Sequence, residues 1–400
     1  MIVLFLHRSF PGQFKNLATE LARNPMNQIL FITNTAKDQI PGVTKLVYNA
    51  QGQSTCTEVI KGYEDNVLHG QASANLMMQL KYKNITPDII IGFSWGPPMF
   101  VKEVFPDVPF LNYFEWFNKT EDSVFDFGNK KLNEEQRVKI ACNNTHILVD
   151  LYNCDAGMTP TLWQKEQFPK EYQDKIKVIH DGVDTDICKP DENVKFLIKD
   201  KNIELTLEDE VITYGTRGME PYRGFPEFME AIAVLGKKRP NAHFVIAGVD
   251  AVCYGPKDPN IPSYKELMLK KLNLDMKRVH FVGSLGYEEY IKFLQVSSAH
   301  IYLTYPFILS WSILEAMAAE CCIIGSNTKP VLEVIEDGKN GLIVDFPNVE
   351  ALVERIEYAL DNKEKMKEIR ANARKTIIEN YAFKDTLPKQ IEYIKSLIKR

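Results

Sequence analysis

Short apolar runs alternate with segments of helical period along nearly the whole chain, and they fall into two series. The first contains residues 2–7, 28–33, 45–48, 88–94, 110–114, 146–151 and 177–180; the second contains 211–215, 243–248, 279–283, 300–303, 322–325 and 342–345. Strand-length runs alternating with helical stretches predict βαβ units and a parallel sheet in each series. Between the first two runs Phe14, Leu17, Ala18, Leu21 and Ala22 recur at helical spacing, as do Phe225, Phe228, Met229, Ile232 and Leu235 in the second series. The stretch 184–210, with Pro190 and mixed charges, interrupts the alternation and predicts a linker. The expected organisation is an α/β domain over 1–185, a second over 186–382 and a terminal helix over 383–400. In that helix Ile391, Ile394, Leu397 and Ile398 make an apolar stripe that is expected to pack back on the first domain.

The 400 residues and 45% apolar content suffice for two packed cores. No run approaches eighteen apolar residues, and Met-Ile-Val-Leu-Phe-Leu-His-Arg lacks the basic start and cleavage site of a signal peptide. A cytoplasmic protein with no integral membrane segment is therefore expected. Seven scattered cysteines without a Cys-x-x-Cys pair predict buried thiols rather than zinc or disulfides. A net charge of −5 argues against a chain-wide nucleic-acid footprint. The Lys- and Arg-rich segment 363–375 is interleaved with Glu, as in a solvated helix face.

Candidate chemistry sits just after the predicted strands. Val211-Ile-Thr-Tyr-Gly-Thr-Arg-Gly-Met-Glu-Pro-Tyr-Arg-Gly224 runs from a strand through a glycine-framed loop into a helix, with Gly215, Arg217 and Arg223. Helix-start amides and two guanidinium forks suit a diphosphate. Ser310-Trp311-Ser312-Ile313-Leu314-Glu315 opens another helix with small polar residues and puts one carboxylate in an apolar segment, where it is either paired or facing a ligand such as a ribose diol. Gly12 follows the first strand and allows close backbone approach, or is a turn glycine. Glu115 lies among aromatics in Tyr113-Phe-Glu-Trp-Phe117, as a sugar-facing group or half of a structural pair. Asp184-Thr-Asp186 mimics an Asp-x-Asp metal motif but sits in the linker, and the seven histidines have no ligand spacing, so no metal site is expected. Two open α/β domains in series place the expected ligand site outside the carboxyl ends of their strands, in the cleft between them.

These segments resemble glycosyltransferase family 4, retaining enzymes of the GT-B fold, in which two Rossmann-like doubly wound α/β domains face each other. His180-Asp-Gly-Val-Asp184 is similar to the family's inter-domain Asn-Gly-Val-Asp signature, and Val211–Gly224 is similar to its Gly-Arg-x-x-x-x-Lys-Gly loop, with Arg223 in the Lys place. Leu314-Glu-Ala-Met-Ala-Ala319 and Asn340-Gly-Leu-Ile-Val344 complete the second domain. Where the family has Glu, seven residues, Glu, this chain has Phe307 and Glu315. With Phe10-Pro-Gly-Gln-Phe14 and the Tyr113–Phe117 segment, that departure resembles a sub-branch of the family. The resemblance implies Arg217, Arg223 and Glu115 as catalytic residues, with Gly12, Gly215, Ser310, Trp311, Ser312, Ile313, Leu314 and Glu315 binding the donor. It implies no cofactor or metal beyond a nucleoside-diphosphate sugar donor, a UDP-sugar ahead of a GDP-sugar. Expected acceptors are a saccharide or lipid-linked glycan. A hydroxymethylated DNA base is the other acceptor, prompted by the Lys-, Ile- and Asn-rich composition; the pairs Lys130-Lys131 and Lys81/Lys83 are too slight to decide it. Two alternative functions are a nucleotide-sugar 2-epimerase and a non-catalytic sugar-nucleotide-binding protein.

Overall fold

The computed structural model describes residues 1–50, 56–128 and 131–398; Lys130 of the basic pair and the last two residues of the predicted terminal helix lie outside the described residues. The chain divides into two compact units, 1–181 with 384–400, and 182–383.

The first unit holds a seven-stranded sheet of β1 (Ile2–Leu6), β2 (Gln28–Thr33), β3 (Val43–Val47), β4 (Ile89–Phe93), β5 (Phe110–Tyr113), β6 (Ala156–Thr159) and β7 (Ile176–Val178), in the order β3-β2-β1-β4-β5-β6-β7. Every pairing is parallel. Val3, Leu4, Phe5, Leu6, Ile89, Ile90 and Ile91 have no exposed surface, as expected of strands covered on both faces. The strand order reverses between β1 and β4. From Lys384 on, the C-terminal helix Phe383–Ile398 belongs to this unit. Its Ile394 and Leu397 are buried, Gln390 Nε2 donates to the His180 carbonyl at 3.2 Å, and Lys177 lies over the Tyr393 ring.

One predicted strand is a helix. Residues 146–151 continue the helix Glu134–Asn153, which starts at an Asn133–Gln136 capping box, and the strand follows at β6. Ile140, Asn144, Ile147 and Leu151 are its buried face, at spacings of four, three and four. A capped helix already under way carries the apolar run along with it. The small residues Ala156 and Gly157 gave the true strand no apolar signature.

The second unit begins with an antiparallel hairpin, β8 (Phe196–Ile198) and β9 (Ile203–Leu205), inside the predicted linker. Phe196, Ile198 and Leu205 join the core of this unit, so the segment is part of the domain rather than a tether. A six-stranded parallel sheet follows: β10 (Val211–Gly218), β11 (His243–Val249), β12 (Val279–Gly283), β13 (Ala299–Tyr302), β14 (Ile323–Ser326) and β15 (Leu342–Val344), ordered β12-β11-β10-β13-β14-β15. Helix Phe225–Lys238 buries Phe225, Phe228, Met229, Ile232 and Leu235, the periodic set read from the sequence. Helix Lys363–Asn380 buries Met366, Ile369, Ala373 and Ile377 and presents Lys365–Glu368 and Lys367–Glu364 pairs outward, the solvated face its charge pattern implies. Here the order reverses between β10 and β13, which leaves a crevice at their carboxyl ends.

Candidate active site

A cavity of about 680 Å³ opens at the carboxyl ends of β10, β11, β12 and β13. Gly215, Arg217, Arg223, Ser310, Trp311, Ser312 and Glu315 all line it. Ile313 and Leu314 do not: both are buried in the core behind the helix Trp311–Ala318. They cannot offer side chains to a ligand, because the helix turns that face inward.

The two arginines differ. Arg217 is exposed at the end of β10, with its guanidinium 6.0 Å from the centroid of the Tyr254 ring. Arg223 is buried in the turn Pro221–Arg223 ahead of the helix Phe225–Lys238. Its Nη1 donates to Thr304 Oγ1 at 2.7 Å and its guanidinium lies 4.9 Å from the same Tyr254 ring and 6.0 Å from Phe307. The Thr304 bond and the ring faces fix the plane of the Arg223 fork, whereas Arg217 is exposed. Gly224 has a φ of +66°, and a Cβ there would sit 2.5 Å from that of Leu303, so only glycine lets the turn deliver Arg223 and enter the helix.

Glu220, three residues before Arg223, was not anticipated. It is fully buried, and its carboxylate accepts the backbone N–H of Cys253 at 2.9 Å, of Tyr254 at 3.0 Å and of Gly255 at 2.6 Å. This nest clamps the loop after β11 to the arginine turn and so places the Tyr254 ring over both guanidiniums. A lone acid between Met219 and Pro221 shows nothing locally, since its partners lie more than thirty residues away. The cysteine expectation needs a correction here: Cys253 is exposed and lines the cavity, while Cys56 and Cys142 are half-buried. Its loop position, beyond a strand's carboxyl end, keeps it out of the core.

Ser310 caps the helix Trp311–Ala318, its side chain accepting from the Ser312 amide at 3.3 Å, so the positive end of the helix faces the cavity. Glu315 lies one turn further on. Burial holds its carboxyl above the ordinary range, and the hydroxyls of Tyr287 and Tyr290 pull it partly back. Asp184 Oδ1 accepts the amides of Asp186 and Ile187, a turn-capping role. Among the described residues no group of three or more His, Cys, Asp or Glu side chains could hold a metal ion.

Gly12 and Glu115 belong to the first unit. Ser9 N–H donates to His7 Nδ1 at 2.8 Å, which puts the ring proton on Nε2, facing Gln13 Oε1 at 2.8 Å; Gln13 Nε2 in turn donates to Glu115 Oε1 at 3.1 Å. Burial lowers the His7 pKa to about 4, so the imidazole stays neutral and the chain runs His7 to Gln13 to Glu115. The missing side chain of Gly12 serves this array. Its φ is +54°, and a Cβ would lie 2.6 Å from the His7 ring. Gly12→Ala is expected to cost about 1–3 kcal/mol, checked by calorimetric unfolding; an unchanged melting profile would contradict this packing.

Two parallel, doubly wound α/β units, the second with a polar crevice at its strand-order reversal, make up the GT-B fold. Residues 25–188 match the model of the glycosyl transferase family 4 group and residues 196–376 that of glycosyl transferases group 1, and the chain is a family 4 GT-B glycosyltransferase. It is similar to a D-inositol 3-phosphate glycosyltransferase of Corynebacterium glutamicum, 20% identical over 356 residues, covering 87% of this chain and 82% of that protein. In three dimensions it is similar to the sucrose-phosphate synthase of Thermosynechococcus elongatus (TM-score 0.76, 14% identity, 100% and 99% of the two chains). It is also similar to Anabaena HepE in complex with UDP and glucose (TM-score 0.70, 14% identity, 99% and 100%). These matches carry the transferase reading rather than the epimerase or the non-catalytic one. Among the described residues no helix is long and apolar enough to cross a membrane.

Proposed function

We propose that the chain transfers a glycosyl group from a nucleoside-diphosphate sugar, UDP in preference to GDP, to a hydroxyl of a saccharide or lipid-linked glycan, with retention at the anomeric carbon. The single observation that carries the donor assignment is the convergence of Arg217, Arg223, the Ser310-capped helix end and Glu315 on one cavity. The diphosphate takes the guanidinium forks and the helix end; the ribose hydroxyls take Glu315. The UDP in the Anabaena HepE complex supports the choice of nucleotide. With Phe307 where the family resemblance expects a first Glu, the sugar meets an aromatic wall of Phe307 and Tyr254, whose ring centroids are 5.7 Å apart.

The bond from the anomeric carbon to the phosphate oxygen breaks as the bond to the acceptor oxygen forms on the same face. The departing phosphate oxygen takes the acceptor's proton, and the two guanidiniums and amide dipoles stabilise its growing charge. The chain's own cations supply that neutralisation in this scheme, without a bound metal. Glu115, oriented through Gln13, is the sugar- or acceptor-facing carboxylate of the first unit.

Cys253 gives a direct test of donor occupancy. UDP is expected to protect this thiol from iodoacetamide, read by mass spectrometry of its peptide, while leaving the half-buried Cys142 unchanged; equal labelling with and without UDP, or with a GDP control protecting better, overturns the assignment. The anomeric configuration of the product, read by NMR, tests retention separately.

A further inference from the structure

Glu315 is held from behind. The helix Tyr287–Gln295 carries two phenols three residues apart, hence on one face. The Tyr287 hydroxyl donates to Glu315 Oε1 at 3.0 Å, and on its other side the Cys188 thiol approaches the same hydroxyl at 3.3 Å. The Tyr290 hydroxyl is buried, has no hydrogen-bond partner of good geometry among the described residues, and faces the same carboxylate from the cavity wall. We infer that Tyr287 is a positioning residue that fixes the Glu315 carboxylate for the donor's ribose hydroxyls, with Tyr290 as the second donor that the carboxylate meets on a small rotation. The inference rests on the ribose role proposed for Glu315.

The chemistry is that of a half-used acceptor. An ionised carboxylate offers about four lone-pair sites; one bond to Tyr287 pins its rotation and leaves Oε2 and the remaining sites to a vicinal diol. Burial works against this arrangement by favouring the neutral acid, which would present an O–H where an acceptor is needed. The phenols counter it, because a donor bonded to the charged form stabilises that form. The groups that face Glu315 are Tyr287 and Tyr290 from one helix and Cys188 from the segment before the hairpin. Asp184 and Arg374 act on Cys188 in turn. Removing the Tyr287 hydroxyl therefore raises the Glu315 pKa further, so that as pH falls the affinity that depends on the ionised form begins to drop sooner.

Calorimetric titration with UDP from about pH 5 to about pH 9 tests this in the full chain and in Tyr287→Phe and Glu315→Gln. In the unsubstituted protein affinity falls as pH drops through the Glu315 titration. Tyr287→Phe is expected to move that midpoint up and to weaken UDP about 3–10-fold near neutrality. In turnover it should raise the donor KM and spare kcat. Glu315→Gln should keep only the slope due to the diphosphate's own titration. A Tyr287→Phe midpoint equal to that of the unsubstituted protein overturns the positioning role. Unchanged UDP affinity in Glu315→Gln at every pH instead overturns the ribose assignment, so the two failures are distinct.

Discussion

Replacing Arg217 by Ala is expected to lower kcat/KM by about 10²–10³, equivalent to roughly 3–4 kcal/mol of transition-state stabilisation, while the melting temperature stays where it is. The separation of the two effects follows from where the side chain sits. Arg217 is exposed, and its ring contact with Tyr254, at 6.0 Å, is too loose to hold the fold together. What the guanidinium can do is meet a diphosphate whose negative charge grows as the glycosyl bond breaks, a contribution larger in the transition state than in the bound ground state. Arg223 cannot give so clean a result. It is buried and bonded to Thr304, so truncation would unsettle the turn as well as the chemistry. Steady-state kinetics with donor and acceptor both varied, alongside calorimetry, reads the outcome; activity within a few-fold of the unsubstituted enzyme would remove the phosphate role from Arg217.

Glu220→Gln is expected to be the most damaging single-atom change in the second unit, at about 3 kcal/mol, or a fall of roughly 6–12 °C in the unfolding temperature of that unit. The carboxylate has no exposed surface and satisfies three successive backbone N–H groups. An amide of the same shape offers one acceptor oxygen, and its NH₂ group points a donor at a donor. The loop from Cys253 to Gly255 then loses its anchor. Because that loop carries Tyr254 over Arg217 and Arg223, the loss should also appear as weaker UDP binding at temperatures where the unit is still folded. Unfolding followed by calorimetry, with and without UDP, measures both; an unchanged transition would mean that the nest contributes nothing to holding the loop.

Most of the cavity lining in the second unit was legible because its residues are close in sequence to strand ends. Gly215 and Arg217 end β10 and Arg223 lies in the turn after it, while Ser310 through Glu315 open a helix whose polar start is visible in the residue types. Ile313 and Leu314 were grouped with them by adjacency, but a helix rotates each residue by about 100°, and theirs is the buried face. The run 146–151 shows the opposite difficulty. Its composition suits a strand, yet the capping box at Asn133 and the spacing of Ile140, Asn144, Ile147 and Leu151 had already committed the segment to a helix. The hairpin in the 184–210 stretch was hidden by mixed charges, because its strands, Phe196–Ile198 and Ile203–Leu205, are only three residues each and lie among charged positions.

By itself the sequence determined two parallel-sheet α/β units and the pair of cations at the end of β10 and in the turn after it, since apolar period and glycine-framed loops are local properties written in consecutive residues. The tertiary structure alone decided that Glu220 holds the Tyr254 loop, that Tyr287 bonds Glu315, and that His7 reaches Glu115 through Gln13. Each of these contacts joins residues brought together only when separate strands align in one sheet and their carboxyl ends meet. Apart from the local His7–Gln13 bond, these hydrogen bonds depend on distance in space, to which distance along the chain gives no guide.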